Sequence, residues 1–345
     1  MAGSFLKTNF FPRYQRLQKD QILFSALRSG DSKEKPSGSW LSKKDVYEKR
    51  MFMKKEEWDA TPIDLHMHSL FSDGSFSVPH LVESLAENHL GIFALTDHDT
   101  LQGLDLAKKE AAKKGLKTIG GLEISAQDAK GAMHILGYFV GQQDEVLQNC
   151  LEKLNQAREN RNRMILEQLT QMGFPMQEEE LKAFAPESSV LGRPHIARLM
   201  VQKKYVSSYA EAFKNYLGNK ARVYFNKETL SPDQAIAAIH HSEGWPFLAH
   251  PCTLNRSAAE LKNLLFELKD MGLKGVEVYN SAHSFDQVQL YQKLSNDAGL
   301  LFSGGSDFHG ANKPYLEIGN AFLGKKITGR QVSADFYDRY TEENL

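Results

Sequence analysis

From Thr61 onward, short apolar runs alternate with segments whose apolar residues recur every three or four positions. TPIDLHMHS (61–69), GIFALTDHDT (91–100), LKTIGGLEIS (116–125), AMHILGYFV (132–140), WPFLAHPC (245–252), LKGVEVYN (273–280) and LLFSGGSDFHG (300–310) read as strands. Helical segments stand between several of them. VPHLVESLAENHL (78–90) opens after Ser77, a good N-cap, and GLDLAKKEAAKKG (103–115) closes on Gly115. Strands separated by helices return to the same end of a sheet and so run parallel. The expected fold is therefore α/β, a parallel sheet or barrel, with its functional side chains at the carboxyl ends of the strands.

Those ends collect one kind of chemistry. His66, His68 and Asp73 follow the first run, Asp97, His98 and Asp99 the second, and Glu123 the third. His134 lies in the fourth, His250 ends the WPFLAHPC run, and Asp307 and His309 end the last. A lone histidine on an apolar face is usually a packed or hydrogen-bonded residue. Six of the twelve histidines falling at one expected rim, among acids, are hard to explain that way. Alternate residues of a strand share a side, so His66 and His68 can clasp one ion together. Imidazole and carboxylate without thiolate suit zinc, iron or manganese, and this many ligands exceeds the need of one ion. Cys150 and Cys252 stand far apart in no metal-type spacing. A disulfide framework is not expected, and a reducing, cytoplasmic setting is.

In their order, HMHSLFSDGS, ALTDHDT, GGLEIS, HILGY, AHP and GSDFHG resemble the motifs of the PHP (polymerase and histidinol phosphatase) superfamily. The resemblance spans about residues 61–325 and is closest to the stand-alone phosphoesterases that act on nucleotides. It implies an irregular (β/α)7 barrel with a helical insertion and a centre of three divalent ions. By the same resemblance, His66, His68, Glu123 and Asp307 would hold one ion. Glu123, His134 and His250 would hold a second, and Asp73, His98 and His309 the third. Each position carries a suitable residue type. A hydroxide bridging two cations would then be the nucleophile, with no catalytic side chain apart from the metal centre. Asp97 and Asp99 would orient ligands, or else cap the helix that follows.

The segment 145–228 breaks the strand rhythm and reads as an inserted helical cap, flanked by barrel halves 61–144 and 229–345. Within it, Arg193 and His195 of VLGRPHIARLM stand at a helix start and are expected to contact the substrate phosphate. Arg158, Arg161 and Arg163 read as a solvated helix face. His80 and His89 read as surface or packing residues, and His240 and His241 as the end of a helix. His283 and Asn280 remain as weaker contacts at a strand end.

Residues 1–60 read as an extension. Its first 19 residues carry Lys7, Arg13, Arg16 and Lys19 and no acid, which fits a basic arm or a transit peptide. A formal net charge of −1 disfavours a bulk grip on duplex nucleic acid. No apolar run approaches the roughly 20 residues of a membrane span. The expected activity is hydrolysis of phosphate monoesters on nucleotides (AMP or a 3′,5′-bisphosphonucleotide), or attack at the 5′ end of a short oligonucleotide. Histidinol-phosphate phosphatase is the alternative within the class, and a non-catalytic PHP binding module the alternative outside it. An amidohydrolase would call for a lysine at the strand rim, and none stands out.

Overall fold

A computed structural model describes residues 53–218, 221–225 and 229–343; the basic arm and most of the expected extension lie outside the described residues. The strands are β1 (Pro62–Asp64), β2 (Ile92–Leu95), β3 (Lys117–Asp128), β4 (Gly131–Tyr138), β5 (Trp245–Leu248), β6 (Gly275–Asn280), β7 (Leu301–Gly305) and β8 (Ile327–Thr328). They form one sheet in the order β7-β6-β5-β4-β3-β2-β1-β8. The helices in chain order are α1 (Lys55–Ala60), α2 (Val78–Glu87), α3 (Leu104–Lys114), α4 (Glu145–Gln171), α5 (Glu178–Phe184) and α6 (Arg193–Gln202). After them come α7 (Tyr209–Ala212), α8 (Pro232–His241), α9 (Ala258–Asp270), α10 (Phe285–Ala298) and α11 (Asp335–Glu343). Among the described residues, no helix is long and apolar enough to cross a membrane.

The sheet curls into a nearly closed barrel because β1 continues past Asp64 as an extended segment bonded to β7. Leu65 N donates to Gly304 O (3.1 Å), Asp307 N to His66 O (2.8 Å) and His68 N to Phe308 O (2.9 Å). The histidine pair thus lies in the seam. Gly305 lets the two backbones meet there, since a Cβ on it would fall 2.3 Å from His66 N.

The simple strand–helix alternation fails at two places: β8 follows β7 with no α-helix between and pairs antiparallel with β1, and β3 meets β4 directly. β3 and β4 form a hairpin, and β4 runs antiparallel to both β3 and β5. The turn is held by Asp128, whose Oδ1 accepts from Lys130 N (2.8 Å) and Gly131 N (3.1 Å), while Gly131 takes a φ of 144°. His134 consequently stands near the start of β4, opposite Ser125 of β3. It reaches the rim from the other direction, not at a strand's carboxyl end.

Three apolar clusters build the barrel and a fourth builds the helical segment. Ile63, Ile92, Leu136, Phe247 and Phe336 belong to one, and Trp58 of α1 is fully buried in it. Residues 55–60 therefore pack with the barrel. The first half of α4 (Leu147, Leu151, Leu154) joins the cluster around Ile124, Ile239 and Leu265. Its second half (Ile165, Leu169) joins Leu181, Ile196, Leu199 and Val223 in a separate core. One helix ties the two cores together.

The seam should tolerate no side chain. Gly305→Ala is expected to cost about 2 kcal/mol in urea unfolding, in the range of overpacked interiors. An unchanged unfolding midpoint would show that the seam has room.

Candidate metal centre

Glu123 stands at the middle of the rim, fully buried. Its Oε1 lies 2.9 Å from His134 Nδ1 and 2.9 Å from His250 Nε2. Its Oε2 lies 3.0 Å from His98 Nδ1, 3.3 Å from His68 Nε2 and 3.4 Å from His66 Nε2. Asp307 Oδ1 approaches His66 and His68 Nε2 at 3.5 and 3.3 Å, and His309 Nδ1 at 3.4 Å. Asp73 faces His309 Nε2 (3.3 Å), His68 Nδ1 (3.8 Å) and His98 Nε2 (3.9 Å). All nine residues expected as ligands converge in one place.

The donor set fits divalent cations. His66 Nε2, His68 Nε2, Asp73 Oδ1, His98 Nδ1, Glu123 Oε2 and His134 Nδ1 are buried without a hydrogen-bond partner. Each such atom costs roughly 1–3 kcal/mol unless something else satisfies it. Four ligands set tetrahedrally at about 2.1 Å from one ion lie about 3.4 Å from each other. The 3.3–3.5 Å distances linking His66 and His68 to Glu123 and Asp307 match that spacing. Compact groups form from His68, Asp73, His98 and His309; from His66, His68 and Asp307; from His66, Glu123 and His250; and from His98, Glu123 and His134. Burial opposes charge on Glu123, but His98, His134 and His66 outweigh it and hold the carboxyl well below its usual range. Burial pushes His98 down to about 3; at His66, His68 and His250 the surrounding carboxylates outweigh burial and raise the pKa, to about 9 for His68.

A second ring of carboxylates fixes the first. Glu277 Oε1 takes His66 Nδ1 at 2.9 Å, and Oε2 accepts from His250 N at 2.7 Å. Asp64 accepts from Ser306 N (2.8 Å), Ser306 Oγ (2.6 Å) and Gly319 N (3.1 Å), and burial raises its pKa to about 6. Asp97 accepts from Ser69 N (2.7 Å) and from the hydroxyls of Ser69 and Ser72, and Ser72 in turn reaches His68 Nδ1. Asp99 accepts from Ser125 N (2.7 Å) and Oγ (2.8 Å). Neither Asp97 nor Asp99 caps α3, whose N-cap is Gly103. Three residues of the centre and its border have positive φ: Asp99 (53°), His250 (24°) and Asp307 (56°). Such strain persists only where surrounding structure imposes it.

The helical segment contributes cations. Arg158, expected on a solvated face, turns inward and pairs with Asp99. Arg161 is half-buried with no hydrogen bond to its Nε; burial, with Arg158 and Arg193 nearby, lowers its pKa to about 9. Both continue the inward stripe of Leu147, Leu151 and Leu154, which is the signal that could have exposed them. Arg163 is exposed, as expected. Arg193 donates to Leu217 O (2.9 Å) and lies over the Tyr224 ring. His195 is buried at the border of Ser72 and Asp73, with its Nδ1 accepting from Gly192 N; burial lowers its pKa to about 4. A rim lysine unseen in the sequence is also present: Lys313 Nζ pairs with Asp307 Oδ2 at 2.6 Å. Glu277 and Asp64 were hidden because each sits inside an apolar strand.

The remaining candidates are structural. His80 stacks on Phe76, His240 bonds Gly272 O, and His241 bonds Asp144. His89 is exposed. His283 donates to Val278 O and packs edge-on to Tyr291. Asn280 donates to Glu277.

Residues 64–229 match the PHP domain. The 5′-3′ exoribonuclease Rnm of Escherichia coli is 33% identical over 262 residues, covering 75% of this chain and 89% of that protein. The chain belongs to the PHP family. Like its relatives, this PHP protein is a hydrolase of the metal-dependent phosphoesterase class. A 3′,5′-nucleoside bisphosphate phosphatase of Chromobacterium violaceum is 27% identical, covering 75% of this chain and 90% of that one. Among solved structures, an amidohydrolase from Chromobacterium violaceum with bound sulfate and no metal aligns with a TM-score of 0.72 at 25% identity. The alignment covers 82% of this chain and 97% of that one. A metal-dependent phosphoesterase from Bifidobacterium adolescentis aligns with a TM-score of 0.70 at 28% identity, over 83% and 96% of the two chains.

Glu123 touches five imidazoles, so its charge should decide metal retention. Glu123→Gln is expected to leave gel filtration with markedly less divalent metal than the parent protein, by elemental analysis. Its kcat/KM should fall at least about 100-fold. Full metal content in the variant would remove Glu123 from the centre.

Proposed function

We propose that this phosphoesterase hydrolyses the 3′-phosphate of nucleotides that also carry a 5′-phosphate: 3′,5′-bisphosphonucleotides and the 5′-phosphorylated end of short RNA. The observation that carries the reading is a pair of anion seats side by side. One is the imidazole–carboxylate centre. The other is the wall of Arg158, Arg161 and Arg193. Asp99 lies between them, since its side chain pairs with Arg158 and its N–H donates to Glu123 O (2.9 Å).

In this reading three divalent ions, manganese, iron or zinc, are held by the three ligand sets expected from the sequence, with Glu123 shared. Bound there, such ions activate water and neutralise phosphoryl oxygens. The protein does the rest. The arginines grip the 5′-phosphate with planar, bidentate donors. Glu277 fixes the ring of His66, and Asp97 fixes that of His68 through Ser72. Buried His195, neutral at ordinary pH, borders the seat beside Asp73. Residues 145–228 act as the cap that keeps bulk water from the cavity.

One bond change serves both substrate types. Water adds its oxygen to phosphorus, the P–O3′ bond breaks, and a proton goes to the departing 3′ oxygen. If the phosphate is terminal, the products are a nucleoside 5′-phosphate and inorganic phosphate. If it carries a second nucleoside, the products are a nucleoside 5′-phosphate and a shortened 5′-phosphorylated chain. This shared step agrees with relatives named for a bisphosphate phosphatase and for 5′-3′ exoribonucleases.

Phosphate or mononucleotide release would be measured with manganese on 3′,5′-bisphosphoadenosine, a short 5′-phosphorylated RNA, AMP and histidinol phosphate. The first two should turn over, and AMP, which lacks the 3′-phosphate, should be the weaker substrate. Arg161→Ala should raise KM for the bisphosphate by about 10-fold or more, the loss of a charge-assisted contact. His68→Ala should abolish turnover. Hydrolysis of histidinol phosphate alone would keep the centre and overturn the substrate.

A further inference from the structure

The loops after β6 and β7 line an open cavity of about 490 Å³, within the size range of small-molecule sites. It shares a wall with the metal centre. Asp307 turns Oδ1 toward His66 and His68 and Oδ2 toward Lys313, and both Asp307 and Lys313 line the cavity. Tyr315 lines it too and is 78% exposed, the most open of the exposed large apolar side chains among the described residues. Tyr209, on the short helix α7, lies close enough to feel the Tyr315 phenol.

Position around the barrel gives the cavity its meaning. Arg158 of the arginine wall is anchored beside β2 and β3, through Asp99 and Ser125. The cavity belongs to the ends of β6 and β7. In a ring where the extension of β1 closes on β7, β3 and β7 are separated by β4, β5 and β6 on one side and by β2 and β1 on the other. The two features therefore face each other across the centre. A nucleotide with its 5′-phosphate at the arginines and its 3′-phosphate at the centre directs any further chain toward the cavity.

We propose that this cavity seats the second nucleoside of a 5′-phosphorylated oligonucleotide, the one esterified to the attacked phosphate, with its base stacked on Tyr315. The inference rests on the two-phosphate reading above. Stacking on an aromatic ring tolerates any base, which suits an enzyme that meets successive nucleotides. The Lys313 ammonium stands at the junction, where the diester charge would lie. A bisphosphonucleotide leaves the seat empty, so Tyr315 would separate oligonucleotide from mononucleotide substrates without touching the reacting atoms.

The test compares 3′,5′-bisphosphoadenosine with the 5′-phosphorylated dinucleotide pApA. Tyr315→Ala and Tyr315→Trp are assayed for kcat/KM with manganese. Binding of a pApA analogue with a methylene group in place of the bridging 3′ oxygen, which cannot be hydrolysed, is measured separately by calorimetry on the manganese-loaded protein. Tyr315→Ala should lose at least 10-fold more kcat/KM on pApA than on the bisphosphate and should weaken binding of the analogue about 10-fold, with Trp restoring both. Equal losses on the two substrates, or unchanged binding of the analogue, would overturn the seat. If the parent protein hydrolyses neither substrate but Tyr315→Ala still weakens binding of the analogue, the seat stands and the proposed reaction falls.

Discussion

The structure depends on one buried carboxylate. Glu123 has its two oxygens set against five imidazoles from four parts of the chain. A buried carboxylate is tolerable only when opposite charge or donors surround it. Here four of those imidazoles, His66, His68, His98 and His134, turn toward it a ring nitrogen without a hydrogen-bond partner, so the cluster is not satisfied by protein alone. The fold is arranged around that debt. β3 carries Glu123, the β3–β4 hairpin turns His134 back to it, and the β1–β7 seam brings His66, His68 and Asp307 to its other side. Glu277, Asp64, Asp97 and Asp99 bond the surrounding backbone, serines and rings and hold them in place. Their separate roles come from position: each accepts from backbone N–H groups, serine hydroxyls or ring nitrogens that would otherwise be free to move.

Much of this was legible because histidines and acids gathered at a rim leave a pattern. Strand periodicity places alternate residues on one side, so His66 and His68 announced themselves, and the acids and histidines at later strand ends followed. The hairpin was not legible. Two runs of β-type sequence separated by a few residues carry no mark of direction, and the reversal of β4 was set by the Asp128 turn. Glu277 and Asp64 lie inside apolar strands, where one acid reads as an interruption until its partners are known. Arg158 and Arg161 were misjudged through charge. Their spacing after Leu147, Leu151 and Leu154 continues the buried stripe of α4, and helical phase proved the better guide than polarity.

That helix also explains how barrel and helical segment act together. Its first half is packed into the barrel cluster and its second half into the other core, so it cannot tilt without disturbing both. Arg158 sits between the halves and ties to Asp99, whose backbone is bonded to Glu123. The cationic wall is therefore positioned by rigid helix and strand, not by a loop. A fixed distance between the two anion seats is what a substrate with two phosphates on one ribose requires, because such a substrate has little freedom to adjust its own span.

The charge arrangement makes metal and nucleotide binding interdependent. Without cations, Glu123, Asp73 and Asp307 are held ionised by their neighbours, and the carboxylates in turn raise His66 and His68, so an incoming phosphate meets ion pairs already balanced without it. With cations bound, the same place attracts it. The arginine wall carries positive charge in either state. On the proposed reading, a nucleotide would be held by its 5′-phosphate in either state, and bound cations would add the attraction for its 3′-phosphate. Linkage requires the converse: a nucleotide that favours the metal-loaded state must tighten the metals by the same factor. On the same reading, selectivity for doubly phosphorylated substrates would follow from electrostatics, since a ligand with one phosphate can use the arginines or the centre but cannot join them.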